Sequence, residues 1–143
     1  MQLTQVIQET FRLYPASALL SRQLYEDMKF GDLHIPKGTS LWIPILQFHH
    51  DTELWGPDAN QFNPERFAKG VSGACKHPHM YMPFGFGPRT CLGQTFAMVQ
   101  LKTLLAMILS RYKVSPSPKH RHSVELRLLL GPKHGVHLVI EKV

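Results

Sequence analysis

One segment constrains this chain more than any other: a glycine-rich loop that delivers a single cysteine to the start of a predicted helix. Residues 84–93 read FGFGPRTCLG. Gly85, Gly87 and Gly93 have no Cβ, so the backbone there can turn tightly and approach a flat ligand closely. At the N-terminus of a helix, Cys91 faces unpaired backbone N–H groups and the positive end of the helix dipole, which stabilise a thiolate. The segment therefore predicts a thiolate that binds a metal ion.

Size and composition are those of one globular domain. The 143 residues are 43% hydrophobic and 18% charged, as expected of a folded chain rather than a disordered one. The net charge is +6, but Lys and Arg are scattered between Arg12 and Lys142, so we expect no nucleic-acid partner. A diffuse basic surface suits docking of an acidic protein. Two cysteines are too few for a disulfide framework, and the longest apolar stretch, Phe96–Leu109, is shorter than the roughly 20 residues that span a bilayer.

Hydrophobic periodicity predicts two helices. The first runs from Leu3 to about Leu13 and is stopped by Pro15. No capping residue precedes it, so we expect that the chain opens inside a helix of a longer parent protein. The second helix is predicted from near Cys91 to near Tyr112. The apolar face of this second helix carries Leu92, Phe96, Val99, Leu104, Ile108 and Leu109.

Short strands and irregular chain make up the rest. Turn signals at 31–32 and 36–38 predict small antiparallel strands between Tyr25 and Ile45. From 51 to 87, prolines and glycines interrupt any periodicity, while six aromatic side chains predict an ordered irregular segment. After a break at 115–118, the runs 124–130 and 136–140 predict a terminal hairpin. The expected fold class is mainly α with small β-sheets (α+β).

The cysteine loop resembles that of the cytochrome P450 family, since it matches the pattern F-x-x-G-x-R-x-C-x-G at every fixed position. Two further landmarks of that family appear in order. Glu9 and Arg12 are similar to its E-x-x-R signature, and residues 64–67, PERF, are similar to its P-E-R-F signature. The resemblance implies that residues 1–143 are the C-terminal portion of one haem-thiolate domain whose N-terminal portion is absent, with Cys91 as the iron ligand.

The resemblance also assigns roles to other residues. Glu9, Arg12 and Arg66 would form a buried charge triad that fixes the loop before the cysteine; an exposed helical ion pair is the alternative for Glu9 and Arg12, which share a helix face at i and i+3. No catalytic residue is implied beyond the axial ligand. The residues implied to bind haem b are Cys91, Arg89, Arg22, Phe84, Gly85, Gly87 and Gly93. Those implied to contact substrate are Ala16, Ser17, Ala18, Leu19, Leu20, Leu128, Leu129 and Leu130.

The activity implied is monooxygenation. A haem-thiolate enzyme takes two electrons from NADPH through a reductase, binds O2 and hydroxylates a lipophilic substrate. The segments around the loop are similar to plant members that oxidise isoprenoid-derived hormones such as gibberellins or cytokinins, which implies a full-length parent on the cytosolic face of the endoplasmic reticulum membrane. The family's oxygen-activating helix and membrane anchor lie upstream of the matched region, so we expect the isolated chain to be inactive.

Two other hypotheses compete with this one. Cys75, His77, His79 and Cys91 carry zinc-ligand chemistry, although their spacing departs from the usual paired elements of structural zinc sites. The chain could also be an inert truncated product, in which case its unpartnered apolar helix faces predict aggregation or a molten state. His50 stands where the family often has an arginine, so we do not assign it to the haem.

Overall fold

The computed structural model describes residues 2–143. Helix α1 spans Leu3–Leu13 and ends before Pro15, which confirms the first predicted helix. The expectation that this helix has no cap was wrong, because the Gln5 side chain accepts a hydrogen bond of 2.7 Å from the backbone N–H of Gln2. A glutamine in the first turn can therefore satisfy a free amide where no Ser, Thr, Asp or Asn precedes the helix.

Two small antiparallel sheets follow α1. Strand β1 (Leu20–Gln23) pairs with β4 (Ser40–Ile43), and β2 (Met28–Phe30) pairs with β3 (Leu33–Ile35). The turn between β2 and β3 contains Gly31 at φ 59°, a conformation that glycine adopts without strain. The predicted strands and turns are confirmed, and β1 is an additional strand.

Short helices interrupt the segment that was predicted to be irregular. They are α3 (Thr52–Trp55), α4 (Val71–Ala74) and 3-10 turns at Pro64–Phe67 and Pro78–Met80; helix α2 (Ile45–His50) precedes the segment, and a further 3-10 turn at Gly87–Arg89 lies at its end. Capping side chains and prolines in the first turn favour the start of several of these short helices. The Asp51 carboxylate caps α3 by accepting from the Glu53 N–H at 2.7 Å, and Pro64 and Pro78 occupy first-turn positions, where the missing N–H of proline costs nothing.

The small core lies within this same segment. Trp55, Ala59, Phe67 and Cys75 are buried together, with Tyr81 packed against them. The aromatic rings of Trp55, Phe67 and Tyr81 lie 5.2–6.1 Å apart between centroids, which is the spacing of favourable edge and offset contacts. The expected packing of aromatic side chains is thus confirmed for these three, whereas Phe62 and Phe86 are exposed.

Helix α5 spans Gln94–Leu109, so it begins three residues after Cys91 and ends before Tyr112. Its C-terminus closes in a tight turn, in which the Ser110 hydroxyl donates to the Met107 carbonyl at 3.0 Å. None of its sixteen residues, all of them described, is buried. Apolar side chains lie on every side of α5, and those of the predicted face are exposed, from 42% for Ile108 to 72% for Phe96 within the helix.

The C-terminal strands pair differently from the prediction. Strand β5 (Tyr112–Pro116) pairs with β8 (Leu138–Lys142), and β6 (Val124–Leu126) pairs with β7 (Leu130–Pro132). The predicted hairpin across residues 131–135 was therefore wrong. The predicted break at 115–118 was also wrong at its start, because strand β5 continues to Pro116. Five residue pairs join β5 to β8, a longer ladder than β8 could form with β6 or β7. Five helices and four two-stranded sheets among residues 2–143 confirm the α+β class, and no described helix is long and apolar enough to cross a membrane.

Candidate functional site

The cysteine loop is a compact turn held by its own backbone. The Cys91 N–H donates to the Phe84 carbonyl at 2.8 Å, and the Thr90 N–H donates to the Gly87 carbonyl at 3.0 Å. Gly85 and Gly87 have φ of 76° and 78°, where an L-side chain is strained. Two of the three loop glycines are thus required by backbone conformation, and the Cys91 thiol emerges exposed.

The thiol opens onto a cavity of about 340 Å³. Two guanidinium groups, from Arg22 and Arg89, line the same cavity as Cys91. Arg22 is partly buried on β1 and donates to the Ser21 carbonyl at 2.8 Å, while Arg89 is exposed. The remaining lining is mainly apolar and consists of Phe11, Ala16, Ser17, Leu20, Pro83, Phe84, Gly85 and Leu129. One sulfur donor and two fixed positive charges therefore share a mainly apolar wall.

Packing fixes the wall around the loop. The ring of Phe84 meets the ring of Phe11 edge-on, with 5.2 Å between centroids, so the loop rests on α1. A Cβ at Gly85 would lie 3.7 Å from a methyl group of Leu20, and a Cβ at Gly93 would lie 3.8 Å from the Cys91 sulfur. Gly93 therefore keeps the surroundings of the sulfur open, while Gly87 meets nothing within 4 Å and serves the turn alone.

The segments predicted to contact substrate meet each other beside this cavity. The Leu130 N–H donates to the Ala16 carbonyl at 2.8 Å, which joins the start of β7 to the chain after α1. Only part of each segment lines the cavity: Ala16, Ser17 and Leu20 from the first, and Leu129 from the second. Of the others, Ala18 is buried, Leu19 is 44% exposed and Leu128 is 91% exposed.

Leu130 lies away from the thiol. It lines a separate apolar cavity of about 530 Å³, together with Leu13, Leu46 and His50. This cavity is larger than the one beside Cys91, but its lining holds neither a thiol nor a lysine or arginine. We therefore place the candidate site at the cavity beside Cys91, which a thiol and two arginines line, rather than at the larger apolar cavity.

A buried charge cluster lies behind the loop. Glu9 and Arg12 are fully buried, and the Glu9 carboxylate accepts from Arg12 Nε at 2.7 Å and from Arg12 Nη2 at 2.9 Å. The Asn63 N–H donates to the same carboxylate at 3.0 Å. Arg12 also lies 5.1 Å from the centre of the Trp55 ring, within the range of a cation–π contact. Glu9 and Arg12 are therefore not the exposed helical pair that the spacing alone allowed.

Arg66 joins the cluster mainly through another carboxylate. Its Nη2 lies 2.7 Å from Asp58 Oδ2, whereas its Nε lies 3.7 Å from Glu9 Oε1. Arg66 also donates to the carbonyl oxygens of Trp55 and Asp58, at 2.6 and 3.1 Å. Hydrogen bonds from Asn63 and Arg66 lower the pKa of Asp58. The implied triad is thus part of a four-residue cluster, and its hydrogen bonds reach residues 49–63 rather than the cysteine loop.

Sequence reasoning missed His49, Asp58 and Met82. His49 is fully buried and hydrogen-bonds both to Arg12 and to Met82, and burial lowers its pKa to about 4. An Asp six residues before the PERF segment has no special spacing, so nothing in the sequence singles out Asp58. His49 did carry a signal, because a histidine between a predicted strand and an Asp-initiated turn is well placed for burial.

The zinc hypothesis finds no geometric support. Among the described residues, no group of three or more His, Cys, Asp or Glu side chains could hold a metal ion. Cys75 is buried and donates to the His77 carbonyl at 3.3 Å, and burial raises the pKa of its thiol. A buried, neutral Cys75 is a core residue, which leaves Cys91 as the exposed thiol of the described chain.

Comparison with known proteins gives a consistent result. Residues 2–139 match the family described as Cytochrome P450. Cytochrome P450 714C2 of Oryza sativa subsp. japonica is 51% identical over 142 residues, which cover 99% of this chain and 27% of that protein. Cytokinin hydroxylase of Arabidopsis thaliana is 50% identical over 139 residues, 97% of this chain and 27% of that protein. Cytochrome P450 714B3 of Zea mays is 51% identical over 141 residues, 99% of this chain and 26% of that protein. The chain spans about a quarter of the length of the curated relatives it matches, and it belongs to the cytochrome P450 family.

Proposed function

We propose that the protein containing this segment is a haem-dependent monooxygenase in which the Cys91 thiolate binds the iron and a lipophilic substrate is hydroxylated. One observation carries the proposal: Cys91 shares a mainly apolar cavity with Arg22 and Arg89. Residues 1–143 would be the C-terminal portion of its single haem-thiolate domain.

The residues present fit a haem b group. Haem presents an iron that accepts a thiolate, a flat apolar ring and two carboxylates, and the cavity offers one thiol, apolar side chains and two guanidinium groups. A planar group also needs close backbone approach, which the glycines at 85, 87 and 93 allow. Arg22 and Arg89 would pair with the carboxylates, while Phe84 and the loop glycines would lie against the ring.

When bound, the haem supplies the activation of O2 that inserts one oxygen atom into the substrate and reduces the other to water. The residues of this chain would hold the haem and orient it. Cys91 would hold the iron through its thiolate and would donate electron density to it. With haem bound in the full-length protein, Leu20, Phe11 and Leu129 would help to exclude water from the cavity, which would strengthen the pairing of Arg22 and Arg89 with anionic groups. Within this chain we assign no catalytic residue beyond Cys91.

We propose an isoprenoid-derived plant hormone of the cytokinin or gibberellin type as substrate. One relative at 50% identity is named a cytokinin hydroxylase, and the side chains of Ala16, Leu20 and Leu129 offer an apolar contact surface. NADPH would supply electrons through a cytochrome P450 reductase, for which the excess of positive charge, +6, suits an acidic docking surface. The full-length protein would lie on the cytosolic face of the endoplasmic reticulum membrane.

The 143-residue chain by itself would be inactive. Cys91 is exposed, and the apolar side chains of α5 are uncovered. A thiolate open to water lacks the enclosed setting in which electrostatic interactions with a bound group are strong. Hydroxylation of any of the hormones above by the purified chain, supplied with haem and reductase, would contradict this proposal.

The test compares Cys91→Ser with Cys75→Ser in the full-length protein. The wild type and Cys75→Ser should give the spectrum of a thiolate-ligated ferrous–carbon monoxide complex, and Cys91→Ser should not. With reductase, NADPH and a panel of cytokinins and gibberellins under ¹⁸O2, product should gain one ¹⁸O atom in the wild type and in Cys75→Ser only. A thiolate spectrum in Cys91→Ser, or product oxygen derived from water, would refute the proposal.

A further inference from the structure

A single buried imidazole joins the charge cluster to the cysteine loop. His49 lies in the last turn of α2, has no exposed surface and stacks on the ring of Tyr81, with 5.6 Å between centroids and 23° between planes. The hydrogen bonds of Glu9, Arg12 and Arg66 end on residues 49–63. The cluster therefore needs an intermediary to act on the loop at 84–93.

The Arg12 side of this imidazole is fixed. The Arg12 carbonyl belongs to the last turn of α1, where carbonyl oxygens have no partner inside the helix. It lies 3.0 Å from His49 Nδ1, and since a carbonyl only accepts, Nδ1 carries the proton and donates. Arg12 Nη1 donates in return to the His49 carbonyl at 2.5 Å. One hydrogen bond from the ring and one to the backbone carbonyl thus fix His49 to the end of α1.

The other ring nitrogen then determines the loop contact. With Nδ1 protonated, Nε2 of a neutral imidazole can only accept, and the Met82 N–H donates to it at 3.1 Å. Burial keeps the ring neutral at ordinary pH by lowering the pKa of His49 to about 4. Met82 is only 9% exposed, so without His49 its N–H would be a buried donor with no partner, which is costly.

From Met82 the path to the thiol is short. The Met82 carbonyl accepts from the Gly85 N–H at 2.9 Å, and the Phe84 carbonyl accepts from the Cys91 N–H at 2.8 Å. Met82 is thus the first residue of the folded loop, and Cys91 is the residue that closes it. A displacement of Met82 would move both hydrogen bonds that define the turn.

We infer that His49 is a positioning residue for Cys91: its ring, anchored on the Arg12 carbonyl, holds the Met82 N–H and so fixes the loop against α1. The inference rests on the proposed function, because the position of the thiol matters to the chemistry only when Cys91 binds iron. The Nε2–Met82 bond carries this role, while the Nδ1–Arg12 bond orients the ring.

Two substitutions separate the two bonds. His49→Asn retains a donor near the position of Nδ1 but has no acceptor near Met82, whereas His49→Gln retains an acceptor near the position of Nε2. His50→Gln is the matched control, since His50 neighbours His49 on α2 but bonds the Leu13 carbonyl and the Asn60 side chain, at 3.0 and 2.8 Å. All three are made in the full-length protein.

Two readouts are measured for each variant: hydrogen exchange of the peptide containing the Met82 amide, and the ratio of thiolate-ligated to thiol-ligated ferrous–carbon monoxide complex. Loss of one buried hydrogen bond corresponds to roughly a tenfold change in an equilibrium. We expect His49→Asn to speed exchange at Met82 roughly tenfold and to lower the thiolate ratio by a similar factor. His49→Gln and His50→Gln should resemble the wild type in both readouts.

The outcomes separate the two proposals. A wild type without a thiolate-ligated complex would overturn the proposed function and this inference with it. A thiolate-ligated wild type whose ratio is unchanged in His49→Asn, or lowered equally in His49→Gln, would overturn the inference alone. If His49→Asn yields too little folded protein, His49→Gln decides: a ratio equal to that of His50→Gln supports the inference, and a lower one overturns it.

Discussion

Removal of the Glu9 carboxylate should destabilise the fold far more than removal of a partly exposed carboxylate whose arginine partner is exposed. Glu9 has no exposed surface and accepts three hydrogen bonds, two from Arg12 and one from the Asn63 N–H, all at 3.0 Å or less. Glu9→Ala leaves the buried Arg12 guanidinium without its counter-charge, and breaking a buried pair from one side costs about 3–5 kcal/mol.

Glu125→Ala is the matched control for this prediction. Glu125 accepts from Arg127 Nε at 3.1 Å, but the Arg127 side chain is 81% exposed, so water and salt screen the pair. Such pairs contribute at most about 1 kcal/mol. Equilibrium unfolding of the full-length protein in urea, which leaves ionic strength unchanged, gives both free energies. Equal losses in the two variants would refute the reasoning that burial sets the cost.

Three further predictions follow from burial and exposure. The free energy of unfolding should fall by roughly 3 kcal/mol as the pH is lowered from 6.5 to 4, because the pKa of His49 is about 4 in the folded state and the unfolded state therefore binds a proton more readily. His49→Gln should lack this part of the pH dependence. A His49→Gln variant with the same pH profile of stability as the wild type would contradict the prediction. In the haem-free full-length protein a maleimide should modify Cys91 much faster than the buried Cys75, and haem should protect Cys91; faster modification of Cys75 would contradict this. The isolated chain should bind a hydrophobic dye and unfold without cooperativity, since the side chains of α5 are exposed, whereas a sharp thermal transition in a monomer would contradict it.

Local patterns predicted the features that depend on neighbours in sequence. Pro15 ends α1 because proline cannot continue a helix, and Gly31 marks the β2–β3 turn because glycine tolerates positive φ. The spacing of Glu9 and Arg12 at i and i+3 likewise fixes their pairing on one helix face. Each of these required only a few consecutive residues.

Strand pairing, buried polar contacts and cavity lining depend on residues that are distant in sequence, so local sequence patterns did not predict them. The strand run at 138–142 carries no mark that selects β5 over β6 or β7, since pairing depends on ladder length and tertiary position. Asp58 and His49 acquire their roles from Arg66 and Arg12, which a single sequence does not bring together. Leu129 and Leu130 are neighbours that line different cavities, because Leu129 lies in the bend between β6 and β7 whereas Leu130 begins β7.

The charge cluster has a consequence for the order in which the chain folds. Glu9 reaches residue 63 and Arg12 reaches residue 49, at sequence separations of 54 and 37, whereas β2 and β3 are joined by a turn of two residues. Closing long loops costs chain entropy before their contacts form, so such contacts form slowly compared with local ones. We therefore expect the β2–β3 pairing to form before the Arg12 guanidinium is buried, which makes burial of that group a late step in folding.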